Sequence, residues 1–228
     1  MTTLELAGSP LWYASRSSGT LALLLLTTTV ILGTGFAGRA APRRIGRFEL
    51  ALLHRNLSLL TLAFLVVHAV TAILDPFVHL SWAVSMVPFV ASYRPLWLGL
   101  GTTALDLLLA VLLTSALRLR IGARLWKAVH WTAYAAWPLA LFHSVGTGTD
   151  TRLSLQLWLY AGCVAAVVGT VWWRLAKAGP GAGIRRSTAA LAAAAVPMLL
   201  TAFLAAGPLR PGWAHRAATL TITLGGGL

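Results

Sequence analysis

Charge is scarce in this 228-residue chain: Asp, Glu, Lys and Arg make up 10% of it, and only five residues are acidic. A soluble domain carries roughly 25% charged residues, so a water-facing globule is excluded. Cysteine is nearly absent. Cys163 stands alone, which rules out an intramolecular disulfide and a cysteine-only metal centre. No dinucleotide fingerprint occurs, and no P-loop lysine follows a glycine-rich turn. The "GPGAG" stretch at 179–183 reads as a flexible turn. The opening "MTTLELAGSP" has no basic n-region, and no small-residue cleavage site follows at the expected place. The first apolar run is therefore expected to stay as a membrane anchor.

What the chain has in abundance is apolar sequence, 58% of all residues. Six apolar spans stand at 19–37, 49–74, 96–117, 126–146, 154–174 and 187–206. Each approaches the roughly 20 residues a helix needs to cross a bilayer. The expectation is an all-α, polytopic membrane helical bundle of six transmembrane helices over residues 1–207, with a short extracytoplasmic tail at 208–228. No loop has room for a soluble domain. Trp12, Trp82, Trp97, Trp126, Trp158 and Trp173 fall near span ends, where interfacial anchors belong.

Lys and Arg exceed Asp and Glu by eighteen to five, a formal charge of +13. The excess sits between spans, which fits orientation and lipid contact and not nucleic acid. Arg39, Arg43, Arg44 and Arg47 follow the first span. Arg118, Arg120, Arg124 and Lys127 follow the third, and Arg174, Lys177, Arg185 and Arg186 the fifth. The alternate loops hold Arg94 and Arg152, with Asp75 and Asp150. The positive-inside rule makes the basic loops cytoplasmic and both termini extracytoplasmic.

Four of six histidines lie in spans: His54 and His68 in the second, His130 and His143 in the fourth. One crossing separates these spans, so they run in the same direction. His54 and His130 lie just past the cytoplasmic basic clusters; His68 and His143 lie near the outer loops. At about 1.5 Å per residue the two levels stand ~20 Å apart. Two haems fit, one between His54 and His130 and one between His68 and His143. Imidazole is a natural haem-iron ligand, and bis-histidine ligation suits electron transfer. Rotation agrees on one helix only. At ~100° per residue, fourteen residues bring His68 within ~40° of His54, whereas thirteen leave His143 ~140° from His130. Pro138, between them, is a candidate kink. Two further readings stay open: histidines that bond neighbouring helices, and a haem-free, histidine-lined permease for metal ions or protons.

"HRNLSLLTLAFLVVH", "GLGTTALDLLLAVLLTSALRLR" and "RLWKAVHWTAYAAWPLALFH" together resemble the ferric-reductase-like transmembrane family over about residues 20–175. That family takes in NADPH oxidases, ferric reductases and the haem subunit of the bacterial methionine sulfoxide reductase system. The resemblance implies two b-type haems stacked across the membrane, electrons moving outward, and accommodation of the thirteen-residue spacing. The flavin and NAD(P)H module of the larger members has no counterpart in these 228 residues. The implied protein is a cytochrome b subunit of a bacterial plasma membrane, part of an oxidoreductase and dependent on a separate donor. That donor is a flavin reductase or the quinol pool, and a flavin or quinone is held on a partner or at the membrane face. The acceptor is an extracytoplasmic flavin or metal-centred protein, ferric ion or oxygen.

Arg55, Arg44, Arg124 and Lys127 stand near the inner level and could pair with haem propionates, or simply obey the positive-inside rule. Asp106, near the middle of the third span, reads equally as a protonated structural acid and as a proton relay. His79 and Asp150 are candidates for contact with an acceptor, against a plain solvated loop. The run Ala161, Gly162, Ala165, Ala166 and Gly169 reads as a helix-packing face.

Overall fold

A computed structural model describes residues 9–36, 46–76, 80–148, 151–177 and 183–213. Every regular element among them is helical. In chain order these are α1 (Pro10–Phe36), α2 (Arg47–Leu74), a short 3₁₀ turn (Trp82–Ser85), α3 (Pro95–Ala116), α4 (Arg118–Ile121), α5 (Ala123–His130), α6 (Ala133–Thr147), α7 (Ser154–Lys177) and α8 (Gly183–Ala206). Five of these are long and apolar enough to cross a membrane: Pro10–Gly35, Arg47–Leu74, Pro95–Ala116, Ser154–Lys177 and Arg186–Ala206. The chain is a multi-pass membrane protein.

Local chemistry explains the helix starts. α1 begins nine residues before its expected apolar span because Ser9 accepts the Trp12 N–H at 2.9 Å and Pro10 occupies the first helical position. That pairing of cap and proline is a strong start signal, independent of hydropathy. At the head of α2, Glu49 reaches back to the Gly46 N–H at 3.2 Å.

The fourth expected span departs from expectation. It is not one helix. Gly122, at φ +81°, closes α4, and α5 carries Arg124 and Lys127 exposed. The chain then tightens. Thr132, Tyr134 and Ala135 donate to the carbonyls three residues back, Val129, Trp131 and Thr132, at 2.9, 3.1 and 2.9 Å. The Thr132 hydroxyl also bonds the Val129 carbonyl at 2.7 Å, a side-chain competitor for the ordinary helical partner. α6, fifteen residues, follows. Its length of about 22 Å falls short of the ~30 Å hydrocarbon core.

The chain divides into two compact units, the divisions falling between Leu23 and Leu24 in α1 and between Leu59 and Leu60 in α2. The first includes Leu60–Thr147. There α3 packs on α6, where Ala136, Trp137, Leu141 and Val145 are buried. Trp97, expected as an interfacial anchor, belongs to this packing, its indole lying against Gly146. The second unit includes Leu24–Leu59 and Gly148–Trp213. There α7 packs on α8 and buries Tyr160, Cys163, Val164 and Val167, an i, i+3, i+4, i+7 stripe. The small-residue run is not that stripe. Ala161, Gly162, Ala165, Ala166 and Gly169 are exposed, and nothing lies within 4 Å of a Cβ built at Gly162 or Gly169. Seven residues make two helical turns, so the bulkier stripe and the small one take different faces.

Candidate functional site

His68, on α2, and His143, on α6, both belong to the first unit. Their ring centroids are 6.0 Å apart, with planes at 79°. The His68 Nδ1 lies 2.8 Å from the Ser15 carbonyl oxygen, with the Ser15 hydroxyl at 3.3 Å. The His143 Nδ1 lies 2.9 Å from the Trp97 carbonyl oxygen. A carbonyl only accepts, so each Nδ1 carries the proton and each Nε2 keeps its lone pair. Histidines that bind metals commonly donate their second N–H in this way, which sets tautomer and ring orientation.

The donor set fits a haem iron. Two imidazoles with centroids 6.0 Å apart, each with Nδ1 held by a carbonyl, would hold an iron through their Nε2 lone pairs. Among the described residues, no three His, Cys, Asp or Glu side chains gather as they would around a bare ion. Two imidazoles suffice where a macrocycle supplies the other ligands.

Structure also addresses the rotational misfit. A chain wound at three residues per turn advances about 20° more per residue than an α-helix. The tightened stretch after His130 therefore recovers about 60–80° of the ~140° discrepancy. α6 runs through Pro138 without interruption. This part of the correction lies in the turn before α6.

The other histidines of the constellation are placed as follows. His130 ends α5 and stacks on Trp126, with centroids 5.2 Å apart. His54, half-buried on α2 in the second unit, faces the Thr29 backbone. Arg55, Arg124 and Lys127 are exposed on α2 and α5. Asp106 is half-buried within α3. Arg44, His79 and Asp150 lie outside the described residues.

Two neighbours were not foreseen. Ser15 and Trp97 act through backbone carbonyls, which side-chain chemistry does not advertise. Arg94 likewise read only as a loop charge. It is 2% exposed, takes left-handed backbone at φ +45°, and donates from Nη1 to the Gly146 carbonyl at 2.7 Å. Gly146 lies one turn beyond His143, so Arg94 ties the C-terminal end of α6 to the start of α3. Asp75, at the end of α2, is also buried and accepts the Ser9 hydroxyl at 3.1 Å.

Comparison with known proteins gives the family. The family described as "Ferric reductase like transmembrane component" matches residues 18–141. The protein-methionine-sulfoxide reductase heme-binding subunit MsrQ of Ralstonia nicotianae is 29% identical over 171 residues, covering 72% of this chain and 73% of that protein. No solved structure matches. The match takes in three of the four intramembrane histidines and extends over more than half of the sequence, so the chain belongs to the ferric-reductase-like transmembrane family.

Proposed function

We propose that this protein relays electrons across a bacterial plasma membrane through two b-type haems, as the membrane subunit of an oxidoreductase. When bound, the haems supply two one-electron carriers. His68 and His143 would hold the outer one. His54 and His130 would hold the inner one, on the depths read from the sequence. The observation that carries the reading is the outer pair: two imidazoles with centroids 6.0 Å apart, each with Nδ1 committed to a carbonyl and Nε2 left to bind iron.

Other residues take supporting parts. Arg55, Arg124 and Lys127, together with Arg44, offer cations for propionates at the cytoplasmic face. The exposed leucines and valines of α2 and the tryptophans of α7 meet lipid. The α5 turn and α6 together make one crossing, giving six in all, with both termini extracytoplasmic. Electrons enter from a separate cytoplasmic reductase or from quinol and leave on the outer side. The relative's name makes a protein-methionine-sulfoxide reductase partner the favoured acceptor.

The test is a pyridine haemochrome assay on purified, folded protein with low-temperature spectroscopy. Two haems per chain with low-spin, bis-histidine spectra are expected. Folded protein without haem would overturn the reading and favour a histidine-lined permease.

A further inference from the structure

Three of the four intramembrane histidines face a glycine on a neighbouring helix. A Cβ at Gly19 of α1 would stand 2.8 Å from the His68 Nδ1 and 2.9 Å from its Cε1. One at Gly101 of α3 would meet the same two atoms of His143 at closer range. One at Gly33 of α1 would lie 3.4 Å from the His54 Cε1. The first two contacts leave no room for a methyl group; the third is a close van der Waals contact.

Each glycine stands four residues after the backbone group that its histidine meets. His68 bonds the Ser15 carbonyl and faces Gly19. His143 bonds the Trp97 carbonyl and faces Gly101. His54 meets the Thr29 backbone and faces Gly33. Helix geometry gives this spacing a cause. Side chains tilt toward the helix N-terminus, so the side chain at i+4 covers the surface around the carbonyl at i. That carbonyl already accepts the i+4 N–H and has a second lone pair to offer. Only glycine at i+4 opens a path to it for a planar ring from the next helix.

The chain uses the device twice on one helix. Gly19 and Gly33 are fourteen residues apart, as are His54 and His68. The order is reversed because α1 and α2 run in opposite directions. Among the described residues no glycine is placed this way against His130, which stacks on Trp126 instead.

We infer that Gly19, Gly101 and Gly33 are positioning residues for the iron ligands: Gly19 and Gly101 each open a helix carbonyl to the histidine Nδ1–H, which fixes the tautomer and aims Nε2 at the iron, and Gly33 lets the His54 ring lie close against the Thr29 backbone. The inference rests on the two-haem reading. Alanine at Gly19 or Gly101 pushes the ring off its carbonyl. Losing a partner of this kind costs metal sites about 10–100-fold in affinity. It also makes the imidazole a poorer donor to ferric iron, so the midpoint potential of any outer haem that remains should rise.

The experiment compares Gly19→Ala, Gly101→Ala and Gly33→Ala with Gly162→Ala, a helical glycine whose Cβ would meet nothing within 4 Å. Haem content, low-spin signals and redox titration of each component are read in purified protein. Gly19→Ala and Gly101→Ala should lower the affinity for the outer haem about 10–100-fold and raise its potential, leaving the inner haem as in Gly162→Ala. Gly33→Ala, with its looser contact, should keep the inner haem and raise its potential alone. If the two outer variants fail to fold, Gly33→Ala decides, and an unshifted inner haem overturns the inference. Outer haem in Gly19→Ala and Gly101→Ala matching that in Gly162→Ala, while His68→Ala removes it, would overturn the inference and leave the haem reading standing. A wild-type protein without haem would remove both.

Discussion

His68 and His143 present their imidazoles to each other at a centroid distance of 6.0 Å while each holds a backbone carbonyl on another helix through Nδ1. Neither ring is free to swing, so a ligand between them meets two lone pairs already in place. Preorganisation of this kind reduces what binding must spend on ordering the site.

His68→Ala or His143→Ala should therefore remove the outer haem, halving haem content while the inner component keeps its spectrum and potential. His54→Ala or His130→Ala should do the reverse. Haem quantification with redox titration checks this. If His54→Ala and His143→Ala abolished the same component, the pairing by depth would be wrong.

Pro138→Ala should leave both haems in place. The three-residue hydrogen bonds at Thr132, Tyr134 and Ala135 recover part of the rotation between His130 and His143, and none of them involves Pro138. Haem stoichiometry in the variant is the measurement. Selective loss of the outer haem would return the correction to the proline.

Arg94→Ala should destabilise the protein by about 1.5–3 kcal/mol, the range for a lost hydrogen bond to a charged group. Arg94→Gly should be milder than Arg94→Ala by about 1 kcal/mol, because glycine relieves the left-handed backbone at φ +45°. Thermal unfolding in detergent ranks the two. Equal losses would mean that the backbone at this position stores no strain.

In oriented vesicles, a reductant at the cytoplasmic face should reduce the haems, and an impermeant acceptor should reoxidise them only from the other side. About 30 Å of hydrocarbon separates the faces, and in the proposed relay the outer site is the exit. Reoxidation that is equally fast from either side and survives His68→Ala would replace the transmembrane relay with one-face chemistry. A C-terminal reporter active only in the cytoplasm would refute the six-crossing topology.

The long spans, and the approach of His68 to His143, were legible in the sequence because they follow from composition and from position along each span. Apolar runs such as that of α2 must be helical in lipid, where every backbone polar group needs a partner within its own segment. Fourteen residues bring His54 and His68 to one face by the helical period alone. Hydropathy was a poorer guide where other forces act. It missed the polar first turns of α1, which Ser9 and Pro10 start. It joined α5 to α6 across the tightened turn at Thr132. It also gave the small-residue run of α7 a packing role that Tyr160, Cys163, Val164 and Val167 fill.

The sequence by itself determined that this chain is a helical membrane protein with imidazoles in its apolar stretches, because burial in lipid and helical periodicity act locally along the chain. Tertiary structure alone decided which backbone meets each ring. The partners of His68 and His143 are carbonyls of Ser15 and Trp97, fifty-three and forty-six residues away. A carbonyl is common to every residue and carries no sequence signature. Only the approach of one helix to a glycine on the next selects it.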